Sequence, residues 1–114
     1  MAQTKLSRDK KKQLGQFMTP IEMCRDLLDG YNFTINDKVL EPSFGDGNFI
    51  ITLVDKFLDL YEGSLSEKVQ KILINNIYGV ELDEELFNKA LYRIEEKYGF
   101  FPTKHKLTLV KNNI

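Results

Sequence analysis

The chain contains 114 residues, of which 42% are hydrophobic and 29% charged, and its net charge is −1. This size and composition fit one small globular domain. Because Cys24 is the only cysteine, neither an intrachain disulfide nor a cysteine-rich metal site can form, and a reducing cytoplasm is the expected location. No apolar run reaches the roughly 18 residues of a membrane helix. No apolar signal region follows the polar N-terminus, so no membrane partner is expected.

The charge is unevenly distributed along the chain. Residues 1–12 carry five basic side chains and one acid, whereas the whole chain carries 16 basic and 17 acidic side chains. The remainder is therefore acidic, which argues against a basic nucleic-acid-binding surface there. We expect residues 1–14 to form a flexible basic arm that could contact DNA phosphates. Composition alone favours a solvated, disordered tail.

The predicted elements begin with a helix whose N-cap is Thr19 and whose first helical residue is Pro20. Its apolar residues recur at helical spacing: Ile21, Cys24, Leu27, Leu28 and Tyr31. A short strand over 37–41, a turn over 43–47 and a second helix over about 48–61 follow.

The second half of the chain continues this alternation. Ser64 and Glu67 have the spacing of a capping box and predict the start of a third helix. A second strand is predicted over 76–82, with Asp83 as the N-cap of a fourth helix, and a third strand over 106–110. Alternating strands and helices predict an α/β fold in which about three strands form a parallel sheet with right-handed crossovers.

The turn after the first predicted strand contains two glycines one residue apart. It lies in the segment VLEPSFGDGNFI, residues 39–50, where Gly45 and Gly47 precede a helix. Glycine adopts positive φ and lets a ligand approach the backbone, and ligands of open α/β sheets bind beyond the carboxyl ends of the strands. Ile50 replaces the third glycine of a dinucleotide motif, and no Gly-Lys-Ser/Thr follows, which excludes a P-loop. A turn that only joins strand to helix is the simpler interpretation of the glycines alone.

Acidic residues end the first two predicted strands. Glu41 precedes Pro42 at the end of the first strand, where its carboxylate could accept a hydrogen bond from an amine or hydroxyl. Glu81 ends the second strand, a position suited to holding ribose hydroxyls. The two acids and the glycine turn together favour a nucleoside-containing ligand.

Three motifs stand in order along the chain: GQFMTP at residues 15–20, EPSFGDGNF at residues 41–49 and GVELD at residues 79–83. In this order and spacing they resemble the N-terminal part of the catalytic domain of S-adenosylmethionine-dependent, adenine-specific (N6) DNA methyltransferases. The resemblance is strongest to the amino-methyltransferases of type I and type II restriction-modification systems. It implies a Rossmann-like methyltransferase fold, of which residues 15–114 would form a partial cofactor-binding domain.

The resemblance implies S-adenosylmethionine as the cofactor. It assigns the following residues to cofactor binding: Phe17, Thr19, Pro20, Glu41, Pro42, Phe44, Gly45, Gly47, Glu81, Leu82 and Asn112. The two glycines and Glu41 would line the pocket for the methionine end, and Phe17, Thr19 and Pro20 would close over it. Glu81 would accept from both ribose hydroxyls, Leu82 would pack on the adenine ring, and Asn112 or the asparagine after it would accept from the adenine amine. No catalytic or metal-binding residue is predicted.

The family's catalytic segment, Asn/Asp-Pro-Pro-Tyr/Phe, does not occur in this sequence, whose three prolines are well separated. In the family this segment holds the flipped adenine. The resemblance therefore predicts a fragment that is inactive alone, with strand 39–41 at a sheet edge and strand 77–82 in the middle. DNA and the restriction or specificity subunits would be partners of the full-length protein.

Other functions remain open at this stage. A methyltransferase of the same fold could act on RNA or protein. A cofactor-binding or assembly module without activity would fit the missing catalytic segment. A nicotinamide-dependent oxidoreductase is disfavoured by Ile50 and by the Glu41-Pro42 pair.

Overall fold

A computed structural model of the chain describes residues 19–99, residue 102 and the backbone of residues 109–111. The predicted basic arm, Phe17 and Asn112 lie outside these residues. The helices and strands have the following bounds: α1 Ile21–Leu28, β1 Val39–Glu41, α2 Asn48–Phe57, α3 Leu65–Asn75, β2 Ile77–Glu81, α4 Glu84–Tyr98 and β3 Leu109–Lys111. One turn of 3₁₀-helix, Leu58–Leu60, extends α2.

The three described strands form one parallel sheet in the order β1-β2-β3. Val39 pairs with Ile77, and Gly79 pairs with Leu109. The predicted parallel sheet, with the second strand in the middle and the first at an edge, is confirmed for these strands. The described part of the third strand is Leu109–Lys111, one residue past the predicted end at 110, and residues 106–108 lie outside the described part of the chain.

The start of α1 differs from its prediction. Pro20, rather than Thr19, occupies the N-cap position, and no side chain caps the helix. Pro20 has an extended ψ of 149°, so its carbonyl accepts the first helical hydrogen bond, from the Cys24 N–H at 3.0 Å, while the residue itself stays outside the helix. Leu27 and Tyr31 are exposed, because the helix ends at Leu28 and only one face of it packs inward.

The two other predicted N-caps are confirmed. The Ser64 hydroxyl accepts from the Glu67 N–H at 3.2 Å, and the Glu67 carboxylate accepts from the Ser64 N–H at 2.9 Å. This hydrogen bond from the Ser64 backbone lowers the pKa of Glu67. Asp83 accepts from the Leu86 N–H at 3.1 Å and caps α4. These local hydrogen bonds determine where α3 and α4 begin.

The hydrophobic core lies between α2, α3, α4 and one face of the sheet. Burial alternates along β2, where Ile77 and Gly79 face the core and Tyr78 faces outward. The main core side chains are Phe44, Ile50, Leu53, Val54, Phe57, Val69, Ile72, Leu73, Ile77, Phe87, Ala90 and Ile94. In this part of the chain, Leu40 of β1 and its register partner Tyr78 remain exposed on the opposite face.

Candidate functional site

The turn between β1 and α2, which we call the glycine loop (residues 42–47), has a fixed internal geometry. Gly45 and Gly47 have φ values of 57° and 99°, in the left-handed region. The Phe44 N–H donates to the Val80 carbonyl at 3.2 Å, and the Gly47 N–H donates to the Phe44 carbonyl at 3.0 Å. One hydrogen bond therefore joins the loop to β2, and another connects two residues within the loop.

Gly47 also lies against a helix. A Cβ at this position would come within 3.1 Å of the Cβ of Ala90 on α4. Gly47 is thus required both by its positive φ and by the close approach of α4. The surface nearest to this backbone is the protein's own fourth helix, a reason for glycine that the sequence analysis did not consider.

Glu81 is the central acid of the site. The residue is only 4% exposed, and both of its carboxylate oxygens accept hydrogen bonds from the main chain. Oε1 accepts from the Gly45 N–H at 2.8 Å, and Oε2 accepts from the Asp83 N–H at 2.8 Å. These bonds offset the cost of burying the carboxylate. A carboxylate oxygen can accept two hydrogen bonds, and each Glu81 oxygen accepts one from the main chain.

Glu41 lies at the end of β1 and is more exposed than Glu81. It is half-buried, and its Oε1 accepts from the Ser43 N–H at a long 3.4 Å. Burial raises the pKa of Glu41 above 4.5, and the Ser43 hydrogen bond offsets part of that rise. Burial also raises the pKa of the Cys24 thiol, with a further contribution from Glu41. Glu41 is therefore the acid of the site that protonates more readily than usual.

The segment before α1 is held beside the start of α2. The Thr19 carbonyl accepts from the Asn48 side-chain amide at 2.6 Å and from the Cys24 thiol at 3.7 Å. This brings Thr19 and Pro20 next to the residue that follows the glycine loop. Pro20 is exposed and Thr19 half-buried.

The remaining predicted site residues have different environments. Leu82 is 70% exposed beside Glu81, and Pro42 is also exposed. Phe44 is buried, and its ring packs against Phe87 with 5.9 Å between centroids. The Phe44 side chain thus belongs to the core, and only its main chain borders the loop. Glu41, Gly45, Gly47 and Glu81 do come together at the carboxyl ends of β1 and β2.

Comparison with solved structures shows what the fold of this chain is similar to. No protein-family model and no curated protein matches the chain. A solved structure from Vibrio vulnificus, described as a modification subunit and assigned to a type I restriction enzyme, superposes with a TM-score of 0.55 at 18% identity. The match covers 82% of this chain and 19% of that subunit.

The chain shares the fold of part of a modification subunit. It spans about a fifth of the length of that protein, and at 18% identity the similarity concerns the fold. The predicted α/β class is consistent with it.

Arg93 of α4 is a site residue that the sequence analysis missed. Its Nη1 donates to the Asp46 carbonyl at 2.8 Å and lies 3.5 Å from Oδ1 of the same residue. Asp46 stands between the two glycines, 47 residues before Arg93. No short motif links such distant positions, although an arginine one helical turn after Ala90 could have been noticed once α4 was placed beside the loop.

A cleft of about 470 Å³ opens between α1, α2 and α4, beside the glycine loop, and Asn48 and Arg93 are among its lining residues. Its charged lining includes Arg25, Arg93, Glu96 and Lys97. Arg93 and Lys97 are paired with acids on neighbouring elements, so the cleft does not present an unbalanced basic surface. It includes neither Glu41 nor Glu81.

Within the described residues, no group of His, Cys, Asp and Glu side chains is arranged to hold a metal ion. None of their helices has the length and apolar character that crossing a membrane requires.

Proposed function

We propose that this chain is the S-adenosylmethionine-binding portion of a site-specific DNA methyltransferase that modifies adenine N6 in a restriction-modification system. One observation carries the proposal: the buried carboxylate of Glu81 and the glycine loop meet at the carboxyl ends of parallel strands. The fold similarity to a modification subunit supports it.

The residues fit the cofactor chemically. Each Glu81 oxygen accepts one hydrogen bond from the main chain, and a second bond on each oxygen, once a ligand reaches this 4%-exposed residue, would match a vicinal diol such as the two ribose hydroxyls. Leu82 offers an exposed apolar surface directly after Glu81, suited to an adenine ring. Glu41 and the two glycines would hold the methionine end, with Thr19 and Pro20 beside them.

The chemistry of methyl transfer needs positioning more than a strong base. S-adenosylmethionine supplies the methyl group when bound. In our proposal the residues of this chain bind and orient that cofactor. The segment that holds the target adenine is not among these 114 residues, so DNA methylation, cytoplasmic location and assembly with restriction or specificity subunits are proposed for the full-length protein. Phe17 and Asn112 keep their proposed contacts with the methionine end and the adenine amine.

The competing functions make different predictions. An RNA or protein methyltransferase would bind the same cofactor and modify a different acceptor. A non-catalytic module would bind it and modify nothing. The missing catalytic segment favours the second alternative only for the 114-residue chain taken alone.

Calorimetry on the chain and on the full-length protein tests the cofactor assignment. We expect binding of S-adenosylmethionine and no binding of NAD. Glu81→Gln should weaken S-adenosylmethionine binding about 10- to 150-fold, because a charge-assisted hydrogen bond is worth roughly 1.5–3 kcal/mol. Glu85→Gln, an exposed acid in the first turn of α4, is the matched control and should bind normally.

Mass spectrometry of nucleosides tests the acceptor. The full-length protein should produce N6-methyladenine in DNA, and methylated RNA or protein instead would replace our assignment. Absence of S-adenosylmethionine binding in both forms of the protein would rule out the whole proposal.

A further inference from the structure

Arg93 and the two peptide groups around Asp46 form an ordered hydrogen-bond series. Arg93 Nη1 donates to the Asp46 carbonyl at 2.8 Å. That carbonyl shares a planar peptide group with the Gly47 N–H, which donates to the Phe44 carbonyl at 3.0 Å. The Phe44 carbonyl shares a peptide group with the Gly45 N–H, which donates to Glu81 Oε1 at 2.8 Å.

All three bonds run in the same direction, from a cation to an anion. The guanidinium is at the donor end, on an Arg93 side chain that is 30% exposed, and the carboxylate of Glu81, which is 4% exposed, is at the acceptor end. Hydrogen bonds in such a series polarise one another in the same sense and strengthen each other. A change at Arg93 is therefore transmitted to the Gly45 N–H and to Glu81.

The same face of α4 provides both contacts with the loop. Ala90 packs against Gly47, and Arg93, three residues later, reaches Asp46. The helix thus holds the loop by van der Waals contact at Gly47 and by a hydrogen bond at Asp46.

We propose that Arg93 is a positioning residue for the glycine loop. By holding the Asp46 carbonyl, it fixes the orientation of the Gly47 peptide group and, through the Phe44 carbonyl, that of the Gly45 N–H bound to Glu81. Its effect on loop order stands alone, whereas its effect on S-adenosylmethionine affinity rests on the proposed function.

Amide exchange measured by NMR in the chain without ligand tests the first effect. In Arg93→Met, which keeps most of the side-chain length and removes the donors, exchange at Gly45 and Gly47 should rise about tenfold or more. Lys97→Met is the control, because Lys97 lies on α4 and pairs with Asp55 at 2.9 Å without touching the loop. Unchanged exchange at both glycines in Arg93→Met, or an equal rise in Lys97→Met, would overturn the proposal.

A conservative variant keeps the test decisive if Arg93→Met does not fold. Arg93→Lys retains the charge but loses the planar fork, so the Gly45 amide proton should move toward the position of a weaker hydrogen bond. An unchanged Gly45 resonance in Arg93→Lys contradicts the positioning role.

Calorimetry with S-adenosylmethionine tests the second effect. Arg93→Met should weaken S-adenosylmethionine binding about 10- to 100-fold. Its melting temperature should fall no more than that of Lys97→Met. Arg93→Lys should bind more tightly than Arg93→Met, because it keeps the charge. Equal affinities for Arg93→Met and Lys97→Met would overturn the role in binding. If the wild-type protein binds no S-adenosylmethionine while exchange at Gly45 responds as expected, the proposed function fails and the positioning role stands.

Discussion

The Tyr61 hydroxyl donates to the side-chain oxygen of Asn76 at 2.8 Å, in a part of the core where Asn76 is 0% exposed. The Asn76 amide group in turn donates to the Ile35 and Asp37 carbonyls at 3.0 and 2.8 Å. One buried side chain thus connects the segment before β1, the start of β2 and the segment before α3.

Replacing Asn76 should destabilise the fold strongly. Asn76→Ala removes three partly buried hydrogen bonds and leaves a cavity at a fully buried position, so the free energy of unfolding should fall by about 2–4 kcal/mol. Asn75→Ala, at an exposed neighbouring position, should change it by no more than about 0.5 kcal/mol. Urea denaturation measures both, and similar losses for the two variants would contradict this account of Asn76.

Gly47 and Gly30 provide a matched pair for the glycine loop. Both have positive φ, 99° and 87°, but a Cβ on Gly30 would meet nothing within 4 Å, whereas one on Gly47 meets Ala90 at 3.1 Å. Gly30→Ala should therefore cost about 1 kcal/mol from backbone strain alone. Gly47→Ala should cost a further 1–3 kcal/mol or so from overpacking. Equal unfolding free energies of the two variants would show that contact with α4 does not constrain Gly47.

The raised pKa of Glu41 predicts a particular pH dependence. Burial raises the folded-state pKa of Glu41 above 4.5, the ordinary value for a glutamate, which we take for the unfolded chain. At a pH between the unfolded-state and folded-state pKa values, the folded protein therefore binds more protons than the unfolded chain. Stability from this group is fully present below pH 4.5 and is lost as the pH rises through the folded-state pKa. Glu41→Gln should remove this loss, so its melting temperature should gain on wild type as the pH increases from about 4 to 8.

A control separates this effect from general charge effects. Glu22→Gln changes an exposed acid on α1 and should track wild type over the same pH range. A difference in melting temperature between Glu41→Gln and wild type that stays constant or shrinks with rising pH would contradict a raised pKa of Glu41.

The exposed outer face of the sheet predicts self-association. Leu40 and Tyr78 are register partners, 65% and 37% exposed, and β1 is the edge strand among the described strands. Apolar surface on an edge strand favours pairing with another chain. Light scattering of the 114-residue chain should show mass increasing with concentration, and Leu40→Lys should reduce that increase.

Met23→Lys is the comparison for Leu40→Lys, because Met23 is an exposed apolar residue on α1, away from the sheet. It should leave the association unchanged. A wild-type chain that stays monomeric at high concentration would refute the prediction for the edge strand.

The elements that sequence predicted correctly depend on neighbours in the chain. The Ser64–Glu67 capping box and the Asp83 cap each involve residues three apart, so their signals are complete within a few positions. The N-cap assigned to Thr19 was wrong, because Pro20 has an extended ψ of 149° and the helix therefore starts one residue later. The Thr19 carbonyl instead accepts from the Asn48 side chain, a contact over 29 positions that no local pattern indicates.

Long-range contacts in the site could not be predicted in the same way. The acids and glycines were placed at the strand ends correctly, because the carboxyl ends of parallel strands meet at one edge. The Gly45–Glu81 bond spans 36 positions, and the contact between Arg93 and Asp46 spans 47. Which N–H points at which oxygen depends on how α4 packs, and periodicity contains no information about that.

The contact between Arg93 and Asp46 is made chiefly with a main-chain atom. The carbonyl lies 2.8 Å from Nη1, and the carboxylate oxygen lies 3.5 Å away. Every amino acid has that carbonyl, so the identity of the residue between the glycines matters little to the arginine. Substitution of Asp46 in a protein library should therefore leave the 2.8 Å bond in place and remove only the longer ion-pair contact, as long as the backbone keeps this shape. The requirement for a particular side chain falls on position 93, well outside the glycine motif.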